Sequence, residues 1–388
     1  MLALLAMLGA YSVDAFFPSL RAITREFGIE PRHGQLLLTA YLIPHACMAM
    51  LHGALSDAWG RRRVLLIGLC LYLLASLGCS LATSFGTLLV MRSLQGVVAG
   101  AGVIVGRAIV RDCYSGARAQ RVMSAISITF SLGPAIGPTV GGWVEVTLGW
   151  RAVFSTMALA AALLALMVVR RLPETLPPGQ RVPAHPVRIA ANIARVCAHR
   201  EFLPIALGSS LIWLAPQLWL GAAPWVIFDH WHGSETRFAM LMFPIILGYM
   251  LGAFVSGRLA GLWEPERQAR TGYLLLASAA GLMALLQYTV PQLPVTAQQA
   301  LLVVMTFGLQ MMYPIAMLRV LDLFPDMRGA AASALSGIAI MCSAVGMGFV
   351  SPWLAVSLQR LSDGAFLCVA ASLPLWWKVR ARALMAPA

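Results

Sequence analysis

The feature that most constrains this chain is its hydrophobic rhythm: apolar runs of about 20 residues, nearly free of charge, recur from one end to the other. A helix rises ~1.5 Å per residue, so about 20 residues cross a hydrocarbon core of ~30 Å. Composition closes off the soluble alternative. Only 11% of the 388 residues are charged and 60% are hydrophobic, and the mean hydropathy is +0.79. A soluble domain of this length needs a charged shell of roughly a quarter of its residues. Inside a bilayer every backbone polar group must be satisfied within its own segment, which selects helices for runs of this length. The expected fold class is all-α integral membrane.

Polar and Gly/Pro punctuation resolves twelve expected spans. They are Leu2–Leu20, Gly34–Leu55, Val64–Ala82, Thr87–Val110, Val122–Val144, Ala152–Val169, Phe202–Phe228, Phe238–Gly257, Thr271–Val290, Ala297–Leu318, Gly329–Trp353 and Gly364–Trp377. Between the sixth and seventh, the stretch from Arg170 to Arg200 carries six arginines and five prolines. It divides the chain into an N-terminal six-helix half (1–170), a linker (171–200) and a C-terminal six-helix half (201–388). A residual repeat supports that division. Gly53, Leu55, Trp59 and Arg63 recur as Gly257, Leu259, Trp263 and Arg267 at a constant offset of 204, each set following the second span of its half. Transporters are commonly built from two such repeated halves.

A net charge of +13 and a pI near 10.1 would raise nucleic acid as a partner in a soluble protein, but no nucleic-acid module is present. The charge is explained by its placement. Twenty of the 28 basic residues fall in loops after even-numbered spans and in the C-terminal tail, six fall on the opposite side, and Arg92 and Arg107 lie inside the fourth span. Cytoplasmic loops concentrate Lys and Arg beside anionic lipid, so both termini are expected in the cytoplasm. No basic stretch precedes the first apolar run and no small-residue cleavage site follows it before Phe16, so a cleaved signal peptide is not expected. The chain opens directly inside an apolar run, which leaves room for a start further upstream. The seven cysteines form no CxxC pair and read as small core residues, and the seven histidines form no ligand set, His230 and His232 sitting in a short external loop. No metal and no cofactor are expected.

Four stretches carry chemistry. Gly53, Asp57 and Gly60 precede Arg61, Arg62 and Arg63 between the second and third spans. The glycines permit a tight turn, Asp57 can accept hydrogen bonds or face a helix N-terminus, and the arginines can pair with Asp112 at the end of the fourth span. A plain positive-inside loop accounts for the arginines, though not for the Gly/Asp/Gly spacing. In the fourth span Arg92 stands three residues before Gln95, and a guanidinium inside a bilayer costs several kcal/mol unless paired or hydrated. The other reading is snorkelling, since Arg92 is only five residues past Thr87. Asp14 is the only carboxylate well inside an expected span, at a depth matching Arg92, so a pair or a shared water network is geometrically open to them. Pro18 removes the N–H that would bond the carbonyl of Asp14. Burial raises a carboxyl pKa and a nearby guanidinium lowers it, so a site that opens and closes could load and release a proton; a purely structural Asp14 is the alternative. In the fifth span Gly133, Gly137 and Gly141 make one small face for close helix packing, and Pro134 and Pro138 remove two ladder bonds.

These stretches resemble the major facilitator superfamily. The Gly53-to-Arg63 loop is similar to that family's signature between helices 2 and 3, which there acts as a conformational latch. Arg92, Gln95 and Gly96 resemble the helix 4 stretch tied to proton transfer in its drug:proton antiporters. The Gly133-Pro134 and Gly137-Pro138 pairs look like the helix 5 signature of its exporters. Ser12 to Leu20, with Asp14 and Pro18, and Gly106 to Asp112, with Arg107 and Arg111, are similar to the helix 1 and helix 4 segments of the bicyclomycin/chloramphenicol-resistance branch. The resemblance implies a twelve-helix, two-half transporter of the bacterial inner membrane. It would expel small, mostly apolar drugs or toxic metabolites in exchange for protons by alternating access, be driven by the proton gradient alone, work as a monomer and cause antibiotic resistance. Asp14 and Arg92 would couple the proton. Tyr11, Gln95, Trp213 and Gln217 are candidate cavity residues, with lipid-facing or interfacial tryptophan as the other reading of the seventh span. Arg107 fits either snorkelling or a loop pairing better than substrate contact. A proton-coupled importer remains the rival of opposite direction. A membrane enzyme or receptor finds no nucleophile–base cluster, metal set or extramembrane domain to support it.

Overall fold

In a computed structural model, which describes residues 1–114, 116–177, 179, 181, 186–234, 238–260, 262–290, 292–324 and 328–383, each of the twelve expected spans coincides with a helix or a broken run of helices. The chain clusters into two compact units, Met1–Ile189 with Ser234–Ala239 and Ala190–Gly233 with Met240–Ala388. Among the described residues eight helical stretches are long and apolar enough to cross a membrane, or nine when the bent pair Leu36–Ala49 and His52–Trp59 counts as one span.

The first unit contains α1 (Leu2–Asp14), α2 (Leu20–Glu26), α3 (Pro31–Gly34), α4 (Leu36–Ala49), α5 (His52–Trp59), α6 (Arg61–Ser80), α7 (Phe85–Ala99), α8 (Ala101–Cys113), α9 (Gly116–Leu148) and α10 (Trp150–Arg171). α1 packs against α9 and α8, α4 against α7, and α6 against α7 and α10. The first expected span proves to be interrupted. α1 stops at Asp14 and α2 begins at Leu20; with no N–H on Pro18, the Asp14 carbonyl accepts instead from the Phe17 amide at 3.2 Å. The second span bends by 54° between α4 and α5. The fifth is longer than expected, 33 residues, and runs through both Pro134 and Pro138. Ser84 caps α7 by accepting from the Thr87 amide at 3.2 Å.

The second unit follows α11 (Pro186–Cys197) with α12 (Phe202–Gly221), α13 (Ala223–Trp225), α14 (Phe238–Leu259), α15 (Pro265–Thr289), α16 (Val295–Leu323), α17 (Arg328–Val345), α18 (Ser351–Leu354) and α19 (Leu358–Ala383). Five-residue π-helical segments, Val226–His230 and Gly346–Val350, continue the seventh and eleventh spans. α15 lies along α16, and α12 along α19 and α17. The polar segment after residue 170 contains a helix that its arginines and prolines obscured. Val196 of α11 is buried in a core with Phe202, Ile205, Val320 and Phe324, and Ile193 packs against it.

Side chains divide between the unit interiors and an apolar exterior. Leu74, Leu159 and Leu367 expose 60–63% of their surface, as a bilayer requires where lipid takes the place of core. The same division corrects the reading of the cysteines. Cys79 is buried, whereas Cys47, Cys70 and Cys113 are exposed, because an apolar run in a membrane helix serves both faces. His230 and Trp231 are not a free loop: the His230 Nε2 lies 2.9 Å from the Ala355 carbonyl, and the Trp231 indole donates to Gln298 at 3.2 Å.

Candidate functional site

Arg92 is fully buried, which rules out snorkelling. Its cost is met by several partners at once. Nε donates to the Leu37 carbonyl at 3.3 Å, and Nη1 donates to the Ser12 carbonyl at 3.3 Å and to Gln95 Oε1 at 2.9 Å. The rings of Phe16 and Tyr41 lie 4.5 and 4.6 Å from the guanidinium carbon, with Phe154 at 5.9 Å. A planar, weakly hydrated cation suits such a cage better than an ammonium would. Nη2 is buried without an acceptor among the described residues. Gln95 is committed to the same knot, its amide donating to Ser76 Oγ at 2.7 Å, so both of its ends are occupied. The Ser12 hydroxyl donates to the Leu8 carbonyl at 2.6 Å and also meets the Tyr72 hydroxyl.

Asp14 lies two residues beyond Ser12, so the matched depth expected for Asp14 and Arg92 is present. No ion pair joins them among the described residues; the guanidinium spends its donors on main-chain carbonyls and Gln95. Asp14 ends α1, where the helix breaks. It is seated against the fifth-span glycines. A Cβ on Gly137 would stand 3.3 Å from Asp14 Cβ and 3.1 Å from the Tyr11 carbonyl. One on Gly133 would meet Ala10 Cβ at 2.7 Å, and one on Gly141 would meet the Ala15 carbonyl oxygen at 1.8 Å. The small face of α9 is therefore a seat for the α1 segment from Ala10 to Ala15. The Tyr11 hydroxyl is 3.0 Å from Thr156 Oγ1, which ties that segment to α10.

At the other end of the unit, Gly60 separates α5 from α6 at φ 95°, a conformation that glycine adopts freely. Arg61 pairs with Asp57 and donates through Nε to Asp112 at 3.1 Å and through Nη1 to Ser56 Oγ at 2.5 Å. The pairing of this loop with Asp112 is thus as expected. Glu174 was not found from the sequence. Its carboxylate accepts from the Arg61 amide at 3.0 Å and the Arg62 amide at 3.3 Å, capping α6 from 112 or more residues away. Thr175 donates to Asp112 at 3.0 Å, and the Arg62 side chain to the Val169 carbonyl at 3.0 Å. Only the position of Glu174 just past the sixth span hinted at this. Arg107 is exposed, and the Arg111 side chain lies outside the described residues. At the opposite end Glu26 accepts from the Trp150 indole at 2.7 Å and pairs with Arg151 at 2.7 Å, and these contacts, the Trp150 bond foremost, hold its carboxyl below the ordinary glutamate value.

In the second unit the Trp213 ring packs at a tilt against Tyr313, centroids 5.0 Å apart, and against Tyr249 at 6.0 Å. Gln217, one turn on, keeps its Oε1 buried and without a hydrogen-bond partner among the described residues. The structure brings Asp14, Tyr11, Arg92 and Gln95 into the first unit and Trp213 and Gln217 into the second.

Broken apolar helices around a buried, non-snorkelling guanidinium, with an ion-pair cluster at one end of the unit, fit a multi-pass membrane protein of the transporter class. The Major Facilitator Superfamily signature matches residues 2–351, and the chain belongs to that superfamily. It is 31% identical over 264 residues to the uncharacterized MFS-type transporter YdgK of Bacillus subtilis, covering 68% of this chain and 66% of that one. It is 29% identical over 209 residues to the bicyclomycin resistance protein homolog of Haemophilus influenzae, covering 54% and 52%. With multidrug resistance protein D of Escherichia coli it shares 24% identity over 345 residues, 87% of this chain and 84% of that one. The chain thus spans about half to two thirds of the first two relatives. Among solved structures, the D-xylose-proton symporter superposes with a TM-score of 0.72 at 16% identity, over 97% of this chain and 95% of that one. Human MFSD10 does so at 0.67 and 20% identity, over 96% and 97%. At these identities the likeness is one of fold.

Proposed function

We propose that this protein exports small, mostly apolar compounds, drugs among them, in exchange for protons by alternating access, with both termini in the cytoplasm of a bacterial inner membrane. One observation carries the reading. Asp14, a carboxylate with no ion-pair partner among the described residues, ends a broken helix two residues past Ser12, whose carbonyl accepts from the fully buried Arg92. A carboxylate so placed changes charge at low cost when the α1–α9 seam opens or closes. The outward direction is supported by the relatives named for bicyclomycin and multidrug resistance, and the orientation by the excess of arginine in one set of loops. The ionic cluster of Arg61, Asp57, Asp112 and Glu174 would hold one access state, and Trp213 with Gln217 would line the drug path. An importer of the same superfamily finds no specific observation in its favour. The test is Asp14→Asn in energised inverted vesicles, with ethidium as the probe. Proton-driven ethidium movement should fall to background while the protein still inserts and melts as a folded species. Wild-type rates in Asp14→Asn would remove the proton role; no gain in resistance in a drug-hypersensitive host would remove efflux.

A further inference from the structure

The second span carries a polar file that the function above does not use. Tyr41, His45, His52 and Ser56 recur at intervals of four, seven and four, one face of a helix. At one end Tyr41 stacks on Arg92, and the Tyr41 and His45 rings meet edge-on at 5.9 Å. At the other end Ser56 bonds Arg61, the residue that ties Asp57 to Asp112. Both imidazoles in between keep a buried Nδ1 with no hydrogen-bond partner among the described residues, although His52 is also within hydrogen-bonding reach of the Met48 and Val97 backbone. The 54° bend of the second span falls between the two histidines. Both converge on Gly100, the single residue between α7 and α8 within the fourth span. A Cβ there would stand 3.2 Å from His52 Nδ1 and 3.3 Å from His45 Nε2. Two imidazoles crowd one point that glycine leaves open.

From this we infer that His45 and His52 form a proton-binding pair, a station between the Asp14–Arg92 level and the mouth at Arg61. The inference rests on the proton-coupled reading above and adds the route by which the proton reaches that mouth. Imidazole suits the task because one ring nitrogen accepts a proton while the other donates one. Two rings this close do not both charge readily, so one proton is shared and passed on. The charged and titratable neighbours are few. On the same span they are Tyr41 above, Asp57 below and, between the two histidines in sequence, Cys47, which is exposed. On α7 and α8, which pack against it, no ionisable side chain occurs between Arg92 and Arg107, and Arg107 is exposed. On α6 Arg61 is engaged with Asp57 and Asp112, and Tyr72 meets the Ser12 hydroxyl.

Two experiments decide it. In protein with 15N-labelled histidine held in nanodiscs, single His→Gln variants assign the signals across a pH titration. The His45 and His52 signals should titrate together, and His45→Gln should move the His52 midpoint upward; independent titration overturns the pair. In proteoliposomes with ethidium as probe, His52→Gln should lower pH-gradient-driven movement on the order of tenfold and leave ethidium counterflow, which needs no net proton flux, within about twofold. Gly100→Ala keeps both imidazoles but places a methyl between them, and should show the same split. Wild-type gradient-driven rates in either variant overturn the relay. If wild-type protein moves no ethidium, the efflux reading fails, while the coupled titration still decides the pair.

Discussion

A methyl group added at Gly141 would sit 1.8 Å from the Ala15 carbonyl oxygen and 2.8 Å from its carbon. Carbon and oxygen need ~3.2 Å, so α1 and α9 must part by more than ~1 Å along a seam where both obstructing atoms are backbone and no rotamer can yield. Overpacking of this kind costs about 1–3 kcal/mol, and a backbone clash belongs at the top of that range. Alanine returns up to ~1 kcal/mol of helix propensity relative to glycine. The net expectation is a destabilisation of about 2 kcal/mol. Two neighbours grade the effect. Gly133→Ala meets Ala10 Cβ at 2.7 Å and should cost less, and Gly137→Ala, whose contacts begin at 3.1 Å, less again. Gly257→Ala has nothing within 4 Å and should be neutral or stabilising. The assay is the thermal midpoint of each purified variant in one detergent, by intrinsic tryptophan fluorescence. If Gly141→Ala melts at or above both the wild type and Gly257→Ala, the close seam between α1 and α9 is refuted.

Arg92→Lys should lose much of the function and melt lower, because one ammonium cannot serve the carbonyls of Leu37 and Ser12 and Gln95 together. The stranded acceptors are worth about 1–3 kcal/mol each, and the thermal midpoint checks it. Glu174→Gln should loosen the α6 N-terminus by ~1 kcal/mol and shorten amide hydrogen-exchange protection at Arg61 and Arg62; unchanged protection would deny the cap. The Glu26 carboxyl titrates below its ordinary value, so its contribution is present above the unfolded pKa and lost as pH falls through the folded one. Because Glu26 is largely exposed, the gap between wild type and Glu26→Gln should be under ~1 kcal/mol near neutrality and vanish in acid, read as thermal midpoint against pH.

Much of the fold was legible because hydrocarbon thickness and helix rise leave little choice of element or length. The misses have physical causes. Leu2–Leu20 read as one span because its residues are mostly apolar, yet Pro18 cut it at Asp14. α11 was hidden because its arginines and prolines dominate the composition, while its apolar stripe at Ile193 and Val196 is short. Cys47 and Cys70 were assigned to the core because hydropathy cannot tell lipid from protein. In the candidate site Asp14 and Arg92 stood out because each is costly in a bilayer. Their relation did not, since main-chain carbonyls, which have no sequence identity, hold the guanidinium. Glu174 escaped because a cap supplied from over 110 residues away leaves no local pattern.

The sequence by itself determined that the chain crosses a membrane many times, and which few residues are too expensive to be there without a partner. Those are properties of composition, length and period, and a single residue string carries them. Only the tertiary structure decided who the partners are: α1 for the α9 glycines, backbone and aromatic rings for Arg92, Glu174 for the start of α6, and one glycine for two histidines. Contacts between segments depend on how helices bend and pack, and proline, glycine and the bilayer set those angles jointly.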